Sequence, residues 1–146
     1  MSQQDFTTSF HVAEGPDAVF RTIMNVRSWW SGLYGEEIQD EPDGGFTFRA
    51  GAGAHYSKQK PVEVVPGRKV AWLVTDSRLT FVDDEHEWTG TKICFELQPE
   101  GDGTKVTFTH SGLVPQMKCF KECSGSWLRY MEERLIPLLN NGTPQS

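Results

Sequence analysis

The chain has 146 residues and a formal charge of −6, from 14 basic and 20 acidic side chains. No basic run is available to neutralise phosphates, so nucleic acid and anionic membrane are poor partners. Hydrophobic residues at 37% and charged residues at 23% suit one folded domain, and 9 Phe, 5 Trp and 3 Tyr give it an aromatic-rich core or cavity wall.

The first residues, MSQQDFTTSF, carry neither a charged leader nor an apolar core of a signal, and no window approaches the ~18 apolar residues of a membrane span. A cytoplasmic protein is the expectation, forming a single domain over 1–146 with an ordered core at 5–141 and a frayed tail at 142–146. Residues 5–12 alternate as a first strand, with Phe10 and Val12 on one face. Pro16 then suits a first helical turn, and Val19, Phe20, Ile23 and Met24 form one apolar stripe. A second short helix is expected at Arg27–Trp30, ended by Gly32. Two adjacent tryptophans there, Trp29 and Trp30, cannot both face the same way; Trp30 is assigned inward as a plug and Trp29 towards a cavity mouth, against the plainer alternative that both simply pack.

Turn clusters at Pro42–Gly45, Pro66-Gly67, Asp83–Glu85 and Glu100–Gly103 then separate short runs rich in Val, Phe, Thr and Trp. Strands are expected at 46–50, 55–65, 69–75, 77–82, 88–98 and 105–110, six or seven in all with the first. Their alternation points Phe46, Phe48, Val70, Trp72, Val74, Ile93, Phe95, Leu97, Val106, Phe108 and His110 inward. After Pro115 the period becomes helical, from Met117 through Phe120, Cys123, Trp127 and Met131 to Leu138. Pro137 removes a backbone donor and crowds the carbonyl of Glu133, so a kink or an early end is expected there.

This order predicts an α+β protein: a curved antiparallel sheet of six or seven strands wrapped on a long C-terminal helix, with two shorter helices after the first strand. Val19-Phe20, Trp29-Trp30, the run Phe108-Thr109-His110-Ser111-Gly112-Leu113, and Glu122-Cys123-Ser124-Gly125-Ser126-Trp127 closely resemble bacterial relatives of the activator of the heat-shock-protein ATPase. Those belong to the START-like superfamily, with the helix-grip fold of the birch-pollen allergen. The resemblance covers about residues 5–142, departing where Ser126 separates Gly125 from Trp127 and at Pro137. It implies an internal cavity between sheet and helix that binds an apolar or amphipathic small molecule.

The wall of that cavity is expected from Trp30, Phe48, Tyr56, Trp72, Phe95, Phe108, His110, Trp127 and Met131. His110 is the one candidate for acid–base chemistry, set against a plain reading as a strand-end histidine bonded to the backbone or to Ser111. Tyr130 could add a hydroxyl inside. Cys119 and Cys123 share a helix face, but packing thiols explain them better than a metal, and neither a metal nor another cofactor is expected. The acidic tip around His86 reads as a solvated loop. Glu36, Glu37, Asp40 and Glu41 form the one carboxylate cluster near the expected mouth. Ligand binding is therefore the leading function. The alternatives are a cavity enzyme of cyclase, dehydratase or hydrolase type using His110, and a chaperone-associated protein. A chaperone partner is disfavoured because the eukaryotic activator's additional domain is not expected here. A homodimer through a sheet edge or the acidic tip is left open.

Overall fold

The structure, a computed structural model, describes residues 5–51, 54–80, 86–115, 117 and 119–141, with only the backbone of Asn141. The acidic tip at 83–85 and the tail at 142–146 lie outside the described residues. Strand β1 (Phe6–Val12) leads into helices α1 (Pro16–Met24) and α2 (Val26–Trp29). Strands β2 (Glu37–Asp40), β3 (Phe46–Ala50), β4 (His55–Val65), β5 (Lys69–Leu79), β6 (Lys92–Glu100) and β7 (Gly103–Ser111) follow. The chain then forms helix α3 (Phe120–Arg129), a π-helical segment (Tyr130–Leu135) and helix α4 (Ile136–Asn141).

The strands form one antiparallel sheet in the order β1-β7-β6-β5-β4-β3-β2. Alternation decides which face is buried: every residue assigned inward from β3, β5, β6 and β7 is buried, from Phe46 to His110. Three assignments change. The strands expected at 69–75 and 77–82 join as one strand, β5, as far as Leu79, with 81–82 outside the described residues; a bulge sets Asp76 opposite Lys58 and Val74 opposite Gln59, leaving Thr75 between them. The extra residue shifts the parity, so Ser77 and Leu79 face inward after Val74. Glu37–Asp40 pairs with β3 as an additional strand, and Trp88 sits in the turn before β6.

Pro137 does not end the last helix, which continues to Asn141. The π-helical segment lies immediately before it, with the N–H of Ile136 reaching back to the carbonyl of Met131. Winding at five-residue spacing offers carbonyls a donor one position further on, which bypasses the N–H that Pro137 lacks. The segment still keeps Tyr130, Met131 and Leu135 buried against the sheet.

Trp29 and Trp30 are both fully buried, so neither faces a mouth as a gate. The Trp29 indole N–H donates to the carbonyl of Ile23 at 3.0 Å, and its ring meets Phe95 edge-on. Trp30 stacks on Trp29 at 5.8 Å and on Phe48 at 4.2 Å, and leans on Trp127 at 5.0 Å. After α2 the chain turns at Gly32, whose φ of +85° favours glycine there. Replacing either Trp29 or Trp30 by Ala should cost ~3–5 kcal/mol in chemical denaturation, as for other buried large aromatics. A loss below about 1 kcal/mol at either position would contradict this packing.

Candidate functional site

A cavity of about 160 Å³ lies between the β3–β4 end of the sheet and the start of the C-terminal helix. Large flat rings form most of its wall: Trp30, Phe48, Trp88, Trp127 and Tyr130. Small residues face them, including Ala50, Gly51 and Ala54 on the sheet side and Cys123 and Ser126 on α3. Rigid rings opposite short side chains leave space that neither can fill.

Of the residues expected to line a cavity, Trp30, Phe48 and Trp127 do so. Trp72, Phe95, Phe108, His110 and Met131 are buried in the packed core beside it and are not part of the wall. Tyr56 lies on the other face of the sheet, its ring beneath the Arg49 guanidinium at 4.7 Å. The inward positions of β4 are His55, Ser57 and Gln59, so the wall residue from this strand is His55. The signal for it was the shared parity of positions 55, 57 and 59, masked by their polarity. Trp88, Tyr34 and the small residues also enter the wall without having been expected there.

His110 is held in the core by both ring nitrogens. The Trp127 indole N–H donates to Nδ1 at 3.0 Å, which leaves Nε2 to carry the proton and donate to Thr91 Oγ1 at 2.8 Å. Thr91 in turn donates to the carbonyl of Trp88 at 2.6 Å. Gly112 secures this chain from behind: at φ +100° it packs on the Thr91 side chain, where a Cβ would come within 2.7 Å. Burial pushes the His110 pKa down to about 3, with neighbouring His55 adding to the effect. The imidazole is a neutral bridge between α3 and the turn before β6, with no nitrogen left for a substrate.

His55 differs. Its ring is edge-on to Phe48 at 5.4 Å and to Trp88 at 4.4 Å, and its Nε2 is sealed from solvent with no hydrogen-bond partner among the described residues. Burial lowers its pKa to about 4. At the Tyr130 end of the wall, Tyr130 Oη donates to Glu36 Oε2 at 2.5 Å, while Glu36 Oε1 accepts from the N–H groups of Gly32 and Leu33. Burial alone would raise the Glu36 carboxyl, but these hydrogen bonds outweigh it and hold the group ionised below its ordinary range. Burial and the same bond push the Tyr130 hydroxyl up, so it stays protonated. Two other carboxylates of that cluster are engaged outside: Asp40 with Arg27 and Glu41 with Lys58.

Cys119 and Cys123 are buried free thiols, and Cys123 is held protonated by its bond to Cys119 and by burial. Among the described residues no group of His, Cys, Asp and Glu could hold a metal ion, and no helix is long and apolar enough to cross a membrane.

The architecture is that of a helix-grip protein, a curved antiparallel sheet closed by a C-terminal helix over an aromatic cavity. The family described as Activator of Hsp90 ATPase homolog 1-like protein matches residues 16–140, and the chain belongs to it. No curated protein matches the chain in sequence. The Aha1 dimer from Colwellia psychrerythraea superposes with a TM-score of 0.74 at 19% identity, over 95% of this chain and 98% of that one. Protein CV1439 from Chromobacterium violaceum superposes at 0.69 and 14% identity, covering 93% and 97%. DynU16, described as a putative protein in the dynemicin biosynthetic locus, superposes at 0.65 and 14% identity, over 98% of this chain and 49% of that one. At these identities the likeness is one of fold.

The lowered pKa values of half-buried His55 and buried His110 make stability depend on pH. Their folded pKa values lie below the ordinary 6.5, so the unfolded chain binds more protons once pH falls under that value. Stability should be complete above pH ~7 and fall towards pH ~5, each ring adding up to ~1.4 kcal/mol per pH unit to the slope. His110→Gln, which can still bridge Trp127 and Thr91, should roughly halve that slope in denaturant titrations at pH 6.5, 6 and 5. An unchanged slope would show that His110 is not buried in neutral form.

Proposed function

We infer that this protein binds an apolar or amphipathic small molecule in the cavity between β3, β4 and α3. One observation carries the reading: about 160 Å³ of space, walled largely by aromatic rings and open to solvent on one side, lies between the sheet and α3. An apolar cavity of about 150 Å³ holds a benzene-sized guest, whereas drug-sized ligands need roughly 300 Å³ or more. The occupant is therefore about one ring in size, or the buried end of a longer molecule. A binding role fits the chain better than catalysis by His110, the base that the sequence suggests, because both its nitrogens are committed to Trp127 and Thr91. A chaperone-associated role rests on the family description alone. Three free cysteines suit a reducing compartment such as the cytoplasm.

Filling the space tests this directly. Toluene should raise the melting temperature of the wild type, and Ser126→Leu, which puts a larger side chain into the cavity, should remove that shift while leaving the fold intact. Equal shifts in both proteins, or none in either, would contradict binding here.

A homodimer belongs to the same proposal. The relative from Colwellia psychrerythraea is described as a dimer. In this chain β3 pairs with β4 no further than Gln59, so the second half of β4 has a free edge among the described residues, with Val62, Val64 and Val65 exposed. Sedimentation should give a dimer that Val64→Lys weakens; a monomer at high micromolar concentration would refute it.

A further inference from the structure

We propose that the cavity takes organic cations: a single apolar ring held at its inner end, carrying an ammonium group that lies beside Glu122 at the open side. This rests on the binding role inferred above and adds the chemistry of the guest. Burial orders the wall from inside to outside. Trp30, Phe48 and Trp127 are each at most 2% exposed and form the inner end, whereas Ser126 is half-buried and Gly51 and Glu122 are exposed. A guest that follows this gradient is amphipathic. Its ring replaces water against the inner walls, in a space of single-ring size, and its polar group stays at the opening, where it keeps part of its hydration.

The sign of that polar group follows from the charges around the opening. Among the described residues, Glu122 is the one Asp, Glu, Lys or Arg of the wall. It forms no ion pair with a described residue, whereas Glu41, Glu63 and Glu133 each have one. Ser126, four residues on, shares its helix face and brings a hydroxyl oxygen to the same wall. Nothing in the wall offsets the carboxylate: His55 is neutral above its lowered pKa, and Cys123 and Tyr130 are held protonated. Ionised Glu36, bonded to Tyr130, adds to the negative potential. The positive end of α3 is met by Glu87, whose Oε1 accepts the Cys119 N–H at 2.9 Å, and Arg129 is paired with Glu133. An anionic head would meet like charge here and a neutral one would gain little, whereas an ammonium is attracted and can donate to Glu122.

Benzylamine, benzyl alcohol and benzoate share a ring and differ in the charge of one attached group at neutral pH. NMR titration at low salt should be run on the wild type, Glu122→Gln and Glu122→Lys, with circular dichroism confirming that the variants fold. The wild type should bind benzylamine about 3-fold more tightly than benzyl alcohol, as expected for an ion pair at an exposed carboxylate, and benzoate most weakly. Glu122→Gln should remove the preference for benzylamine, and Glu122→Lys should place benzoate above it, with benzyl alcohol bound alike by all three proteins. In the wild type, about 0.5 M salt should also abolish the preference without weakening benzyl alcohol, a readout that needs no variant. A carboxylate that served only to hold the helix would shift all three probes together. If benzyl alcohol binds but the relative affinities are the same in every protein and at both salt concentrations, the selection for cations is overturned and the cavity reading stands. If none of the three probes nor toluene binds, both are overturned.

Discussion

Trp30 stands where the elements of this fold meet, and its ring sets how closely they can approach. One face lies on Phe48 of β3 at 4.2 Å, Trp29 stacks on it at 5.8 Å, and Trp127 of α3 leans against it at 5.0 Å. Moving the C-terminal helix nearer to the sheet would drive Trp127 into an indole that cannot bend or change rotamer without losing the stack. The spacing between sheet and helix is thus set by the thickness of aromatic rings. Where those rings face Ala50, Ala54 and Ser126, spacing becomes empty volume.

The polar network beside the cavity keeps that geometry. Trp127 is fixed in orientation by its hydrogen bond to His110, and His110 by Thr91, which Gly112 allows to pack close behind. At the other end Tyr130 is fixed by Glu36, itself held by the backbone of Gly32 and Leu33 just after Trp30. The two largest rings contributed by the C-terminal helix and its π segment are therefore tied to β7 and to the loop after α2. A cavity persists when its lining cannot relax into it, and here Trp127 and Tyr130 each have a bonded polar tip.

Much of this was legible in the sequence because strand alternation is a strong signal wherever the buried side is apolar. The inward residues of β3, β5, β6 and β7 followed from it, while the family resemblance came from particular runs such as Trp29-Trp30 and Phe108–Leu113, and the match over residues 16–140 bears it out. Legibility failed where the signal is weak. Strand β2 has one apolar residue, Ile38, and the bulge at Thr75 hid the continuity of β5 by shifting its parity. In β4 the inward face is His55, Ser57 and Gln59, so Tyr56 looked like the buried residue while it lies outside under Arg49. The cavity itself depends on volume that is missing at Ala50, Ala54 and Ser126, and absent volume leaves no mark in a hydrophobic pattern. His110 read as functional for a related reason: a polar residue among inward apolar ones draws attention, and only coordinates reveal that Trp127 and Thr91 satisfy it.

The central claim, that the aromatic stack props open a space able to hold a guest, is tested most directly by a crystal structure determined under xenon pressure. Xenon enters apolar cavities of this size without needing any specific chemistry. The account predicts a xenon atom bounded by Trp30, Phe48, Trp127 and Ser126, with those side chains in the positions described. A structure with no xenon between them, and Trp127 or Tyr130 turned inward to occupy the space, would contradict it.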